Sequence, residues 1–349
     1  MSAVPESGAP ASTPRRSLQR MAGSSFTQKA RGEPMLWLCG GSLAICLFMV
    51  FGLLLLVGYQ GTATFWPTGC VLVELHDGTA QLGEPTRDET YSPSPGQLET
   101  LPEAERAGAR ARLEAEDGVA HRRQLRTGNY RITNTHFHWV SDFEIAAESL
   151  PEWAMVIERQ EWGRFYGTPV AFMRDDQAVA TAPATIYAEF GKVHDTVRER
   201  FHEIEGLRKH GIGHLSDVET AALLRARTYE IDEDYGTSSP QYRQAYAAYE
   251  RLVADNAPQR AEFEQRIATL QRENDRLELR MRTAAGVEVD LMVADIVRAY
   301  PANQLSFGER AGVYLDRWVE FLFDDPRESN TEGGVWPAIF GTILMTLLM

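Results

Sequence analysis

The chain has 349 residues, 44% hydrophobic and 24% charged, with a net charge of −14. That length allows more than one folded unit, and the acidic balance argues against a nucleic-acid binder or a surface that gathers anions by its overall field. Of three cysteines, Cys39 and Cys46 fall in one apolar run, leaving Cys70 with no partner for an internal disulfide.

Residues 1–34 carry Arg15, Arg16, Arg20, Lys29 and Arg31 against Glu6 and Glu33, and are rich in Ser, Pro, Ala and Gly up to Pro14. This reads as a disordered tail with a net charge of +3. Residues 35–59, "MLWLCGGSLAICLFMVFGLLLLVGY", hold no charge, which predicts a transmembrane helix too long for a signal-peptide core. The first basic residue beyond it is Arg87, so the positive-inside rule places the tail in the cytoplasm and residues 60–332 outside. The second apolar run is also uncharged, so residues 60–332 carry −17.

Residues 60–183 read as a β-rich region. "CVLVELHDGTAQLGE" predicts two strands about an Asp77-Gly78 turn, with Cys70 a buried small hydrophobe. Around 85–127 the composition turns rich in Pro, Glu and Thr and predicts a mobile insert bearing a weak helix. "NYRITNTHFHWVSDFEI", "EWAMVIERQEWGRFYG" and "TPVAFMRDD" return to strand composition, as a small antiparallel unit with the strands near residue 71. Alternation places Ile132, Asn134, His136 and His138 on one strand face. Two histidines there suit a metal pair, but no third ligand is visible, and hydrogen-bonded or solvent-facing histidines are the commoner outcome.

Residues 184–285 predict an antiparallel helical hairpin or coiled coil. Ile186, Phe190, Val193, Val197 and Ile204 make one stripe, "HGIG" predicts a stop near Gly211, and Ser216 with Glu219 predicts a capped second helix. Spacings of four and three then run from Tyr242 through Tyr246, Tyr249, Val253, Asn256, Arg260, Phe263, Ile267, Leu270, Asn274 and Leu277 to Met281. Pro258 marks a kink or a fresh start. Residues 286–332 form a return segment. Its amphipathic helix puts Phe307, Ala311, Tyr314, Leu315, Trp318, Phe321 and Leu322 on or near one face, for the membrane interface or for core packing. Residues 333–349 start a second apolar helix, inside which the chain stops.

No G-x-x-x-x-G-K-[ST], G-x-S-x-G, H-E-x-x-H or Cys-x-x-Cys occurs, and "EIDEDY" lacks EF-hand spacing. Nothing points to an enzyme, a metal or a cofactor.

The run "DPRESNTEGGVWPAIFGT", within "PANQLSFGERAGVYLDRWVEFLFDDPRESNTEGGVWPAIFGTILMTLLM", resembles the A-type membrane permease subunit of the phosphate ABC importer in its long proteobacterial form. "FWPTG", "TGNYRITNTHFHW" and "VADIVRAYPAN" are weaker matches. The resemblance implies an α+β membrane protein: an N-terminal span, a periplasmic insertion, then a permease core of which only the first part is present. It implies a second, C-type permease subunit, ATP-binding subunits that hydrolyse ATP, a periplasmic phosphate-binding protein and the lipid bilayer as partners. The segment holding Arg327, Glu328, Asn330, Glu332, Gly333, Gly334, Trp336 and Pro337 becomes the candidate core entrance or docking site. There Asp325-Pro326 ends the amphipathic helix, and Asn330 or Thr331 caps the next one. Arg327 amid Asp324, Asp325, Glu328 and Glu332 serves either an internal salt bridge or the docked binding protein. A secretion adaptor with a helical hairpin and a single-pass sensor are the alternatives, although the former ends in β structure and the latter needs a cytoplasmic output domain.

Overall fold

In the computed structural model residues 34–232, 235–323, 334 and 336–349 are described. The chain divides into two units, Met1–Phe65 and Trp66–Met349. The first holds α1 (Pro34–Thr64), whose apolar stretch Trp37–Thr64 is long and apolar enough to cross a membrane. It runs five residues past the expected end at Tyr59, and its side chains from Trp37 to Gln60 are exposed.

The second unit is α+β, built on two antiparallel sheets. The first contains β1 (Val71–Leu75), β2 (Ala80–Tyr91), β3 (Ala120–Arg126), β4 (Phe137–Ser141) and β5 (Ile145–Ser149), in the order β4-β3-β2-β1-β5. The second contains β6 (Met155–Arg159), β7 (Arg164–Arg174), β9 (Leu277–Arg282), β10 (Glu288–Met292) and β11 (Ile296–Pro301), in the order β10-β9-β7-β6-β11. A short β8 (Gln177–Ala180) pairs with β7 off that path.

The two sheets have one topology, strand for strand. In each, the fourth and fifth strands lie at opposite edges and are joined by one 3-10 turn, Asp142–Glu144 in the first and Val293–Asp295 in the second. The amide after the first strand donates to the last residue of that turn: His76 N to Glu144 O at 3.0 Å, Gln160 N to Asp295 O at 2.8 Å. Each second strand carries Gly-x-Pro (Gly83 and Pro85, Gly167 and Pro169) and then an extra residue that shifts its register with the third strand. Proline, with no N–H to give, is tolerated at such a bulge. Both glycines are required sterically. A Cβ would lie 2.3 Å from Arg126 O at Gly83 and 2.6 Å from Arg282 O at Gly167. Equivalent positions fill the cores: Val73, Leu125, Val140 and Ile145 in the first module; Ile157, Met281, Leu291 and Ile296 in the second. Leu82, Val156, Tyr166 and Tyr300 pack together with Cys70 in a further buried cluster.

The modules differ in what interrupts them between second and third strands. In the first, α2 (Pro95–Glu99) and α3 (Glu103–Ala115) bury Leu98, Leu101 and Ala109 against Ala120 and Phe143. Strands β2 and β3 with these helices therefore occupy residues 85–127, where composition predicts a mobile insert. In the second module the interruption is the helical hairpin. Helix α5 (Pro183–Gly206) continues through a π-helical turn, Leu207–Ile212, into α6 (Gly213–Ile231), and α7 (Pro240–Asn274) returns. The expected stop at Gly211 and fresh start at Ser216 do not occur. Gly211 instead allows close approach, because a Cβ there would sit 3.0 Å from the Phe263 ring. Glu219 accepts from Asn256 at 3.0 Å and Arg260 at 2.7 Å, across the hairpin. With Glu203–Arg266 at 2.7 Å and Arg200–Glu273 at 2.9 Å, these pairs descend one helix as they ascend the other, so the helices are antiparallel.

The stripe of α5 is buried as expected at Ile186, Phe190, Val197 and Ile204. The seam of α7 runs through Pro258 without a break and ends at Asn274. Leu277 and Met281 are not part of it: they lie on β9 with Leu279, all three facing the core of the second sheet. The hairpin is thus shorter than the expected 184–285. Beyond β11, α8 (Phe307–Phe323) opens on a reciprocal cap. Ser306 N donates to Glu309 Oε2 at 2.8 Å, and Glu309 N donates weakly to Ser306 Oγ at 3.4 Å. The final helix is α9 (Trp336–Leu348).

Candidate functional site

A buried ionic cluster lies where α8 crosses β6 and β11. Glu158, on β6, is 3% exposed and accepts from Arg317 Nε at 2.9 Å and from Arg298 of β11. Arg298 also donates to Glu320 Oε2 at 3.2 Å, and Arg317 donates to the Tyr300 hydroxyl. Arg164, on β7, stands 3.7 Å from Glu158 and donates to Glu84 Oε2 of β2 at 3.0 Å. Tyr166 adds a hydroxyl hydrogen bond to the same Glu84 oxygen at 2.7 Å. Three carboxylates and three guanidiniums therefore tie the first sheet, the second sheet and α8 into one neutral network.

Neutrality is what permits the burial, since an unpaired ion here would carry the full desolvation penalty. Burial alone would raise the Glu158 carboxyl. The guanidiniums of Arg317, Arg164 and Arg298 outweigh it and hold the group well below the usual carboxylate range. Burial pushes the Tyr300 hydroxyl up, helped by Glu158, and the Tyr166 hydroxyl up, helped by Glu84. Arg317 is shifted down by burial but more strongly up by Glu158 and Tyr300. These shifts keep Glu158 and Arg317 charged and the two tyrosines neutral near neutral pH, giving the cluster the character of a clamp.

Two asparagine side chains complete the junction by acting as strand partners. Asn129 donates to Tyr166 O and accepts from Tyr166 N, both at 3.0 Å. Asn303 accepts from Cys70 N at 2.9 Å and donates to Cys70 O and Pro151 O, both at 2.8 Å. Gly128, at φ +55°, lets the chain pass where a Cβ would lie 2.2 Å from Arg164 O. Cys70 is fully buried, and burial pushes its thiol up, as a structural cysteine requires.

Of the expected site residues, Arg327, Glu328, Asn330, Glu332 and Gly333 lie outside the described residues. Gly334 is described singly, and Trp336 and Pro337 begin the backbone of α9. The strand expected through Ile132 to His138 starts only at Phe137, because the one-turn helix α4 (Tyr130–Thr133) takes its place and Asn134 is left-handed at φ +56°. His136 stacks on Tyr130 at 4.6 Å, while His138 stands on β4 opposite Leu125. Among the described residues no group of three His, Cys, Asp or Glu is placed to hold a metal.

The ionic cluster escapes sequence reading because its members are scattered from residue 84 to 320. The available signal lay in "TGNYRITNTHFHW" and "VADIVRAYPAN", which hold Asn129, Arg298, Tyr300 and Asn303. No family model, curated protein or solved structure matches the chain.

Proposed function

We propose that this chain is the A-type permease subunit of an ABC importer for inorganic phosphate, set in a bacterial inner membrane with its α+β unit in the periplasm. The observation that carries the reading is the run "DPRESNTEGGVWPAIFGT" joining the α+β unit to an apolar helix. The layout supports it: an apolar helix of membrane-crossing length, a large α+β unit, then the shorter apolar helix Ile339–Leu348. Two other segments of the resemblance, "TGNYRITNTHFHW" and "VADIVRAYPAN", place Asn129, Tyr300 and Asn303 at the junction, where Asn303 holds Cys70, the residue that follows "FWPTG". In this role the chain is non-catalytic, and partner subunits hydrolyse ATP.

The test is deletion of the gene region encoding this chain, followed by phosphate uptake and affinity purification of a tagged copy from the native host. Loss of uptake and recovery of a C-type permease with ATP-binding subunits are expected. Unchanged uptake with neither partner recovered would refute the reading. The helical hairpin inserted in a β module favours a second reading, a secretion adaptor. Recovery of an outer-membrane or secretion component in the same purification would select it.

A further inference from the structure

Helix α8 is amphipathic in an inverted sense. Its inward stripe is Arg310, Val313, Arg317 and Glu320, and the two ionic residues at its centre and end are the buried ones. Its outward face is mainly apolar, with Glu309 and Asp316 at its border: Leu315, Val319 and Phe323 are 61%, 57% and 69% exposed, and Phe307 at its start is 77% exposed. A protein surrounded only by water gains nothing from turning charges in and aliphatic groups out.

We propose that this outward face rests in the headgroup and upper acyl region of the lipid bilayer, so that α8 is an interfacial helix. The inference rests on α1 spanning that bilayer and is independent of phosphate transport. Three observations select lipid as the occupant. First, Trp66 is the second residue after α1 in the chain, and its ring packs on Phe307 at 5.7 Å and Tyr314 at 5.6 Å. The start of α8 is therefore packed on the residue with which its own unit begins. Second, the chain leaving α8 at Phe323 enters the apolar α9 at Trp336. Third, Trp66, Tyr314, Trp318 and Phe321 form a chain of neighbouring rings along the flank, the aromatic composition of a headgroup belt.

The cations of α8 fix which lipid is involved. Arg310 donates to Leu305 O, Pro67 O and Ala302 O, and Arg317 is committed to Glu158. The exposed charges on the helix are Glu309 and Asp316. Interfacial helices usually attract anionic lipid through exposed Lys and Arg. This one holds to the bilayer through apolar area, with no requirement for anionic headgroups.

The experiment uses the 349-residue chain in phosphatidylcholine nanodiscs, with spin labels at single accessible cysteines, Cys70 being retained because it is buried. Leu315→Cys and Val319→Cys are each placed in a Cys39→Ser/Cys46→Ser background, and Cys46 is labelled alone in Cys39→Ser. A label at Glu250→Cys on the hairpin reports water. Accessibility to oxygen relative to a water-soluble nickel chelate should be several-fold higher at 315 and 319 than at 250, and unchanged when a third of the lipid is anionic. High nickel accessibility at 315 and 319, with Cys46 in lipid, overturns the inference and leaves the membrane span standing. Low accessibility to both reagents overturns it in favour of a protein occupant. Strengthening by anionic lipid overturns the apolar mode of contact. Cys46 outside lipid removes the span and the inference together.

Discussion

The two β modules share strand order, 3-10 turn, Gly-x-Pro bulge and core positions, yet α8 covers the second at Glu158 while the equivalent place on the first is open. Glu158 of the second module is buried beneath Arg317, whereas Glu74, at the equivalent place on β1, is exposed. Arg298 and Tyr300 on β11 correspond by register to Ala147 and Ser149 on β5, which are exposed as well. A single fold thus supports either a solvated carboxylate or a buried ionic clamp, and the added helix α8 decides between them. The strand scaffold supplies geometry, and function is installed by what is laid on it.

The largest expected effect breaks the asymmetry at its centre. Arg317→Ala removes a principal partner from a buried carboxylate and should cost about 3–5 kcal/mol in denaturant unfolding. Loss of β11 and α8 protection in hydrogen exchange should accompany it while the first module holds. Equal loss in both modules would show that they unfold as one.

Acid should find the same place. The Glu158 carboxyl is held below its unfolded value, so its contribution is fully present above about pH 4.3 and is lost as pH falls through the lower folded-state value. A pH series of urea midpoints should therefore drop below pH 4.3 in the wild type. In Glu158→Gln, starting from a lower plateau, that part of the slope should vanish.

Where the modules agree, they should respond alike. Gly83→Ala and Gly167→Ala each drive a Cβ into the carbonyl of the facing strand and should each cost about 1–3 kcal/mol, read from thermal or urea midpoints. Asn303→Ala leaves Cys70 N, Cys70 O and Pro151 O without their side-chain partner, and Asn129→Ala does the same to Tyr166 N and O. Each should cost about 1–3 kcal/mol. Smallest of all, Glu74→Ala, the counterpart of the Glu158 site, should stay within about 0.5 kcal/mol of wild type. A large loss there would mean that the open face is covered too.

Much of the architecture was legible residue by residue. The Asp77-Gly78 turn, the stripe from Ile186 to Ile204 and the seam from Tyr249 to Asn274 follow from local periodicity, which a sequence states directly. The repeated module was not legible. Its signals, "LGEPT" and "YGTPV" 84 residues apart, are separated from their third strands by insertions of very different length. Gly211 misleads because a glycine that admits a neighbouring ring reads the same as one that ends a helix. Leu277 and Met281 mislead because a spacing of four fits both the seam and the strand alternation Leu277, Leu279, Met281. For α8, periodicity identified an amphipathic helix, but no composition rule anticipates that its ionic side turns inward. The candidate entrance from Arg327 to Gly333 lies outside the described residues.

The hairpin leaves and re-enters the second module at facing residues. Arg174 pairs with Leu277, and Asp175 N donates to Arg276 O at 2.9 Å. Strands β7 and β9 are therefore distant in sequence, which ordinarily makes pairing slow because the loop must close first. Here the intervening chain is itself folded back: Glu219–Arg260, Glu203–Arg266 and Arg200–Glu273 tie its two sides together at successive levels. With the hairpin formed, the loop that separates β7 from β9 is far shorter than the sequence between them, and the entropy of closing it falls accordingly.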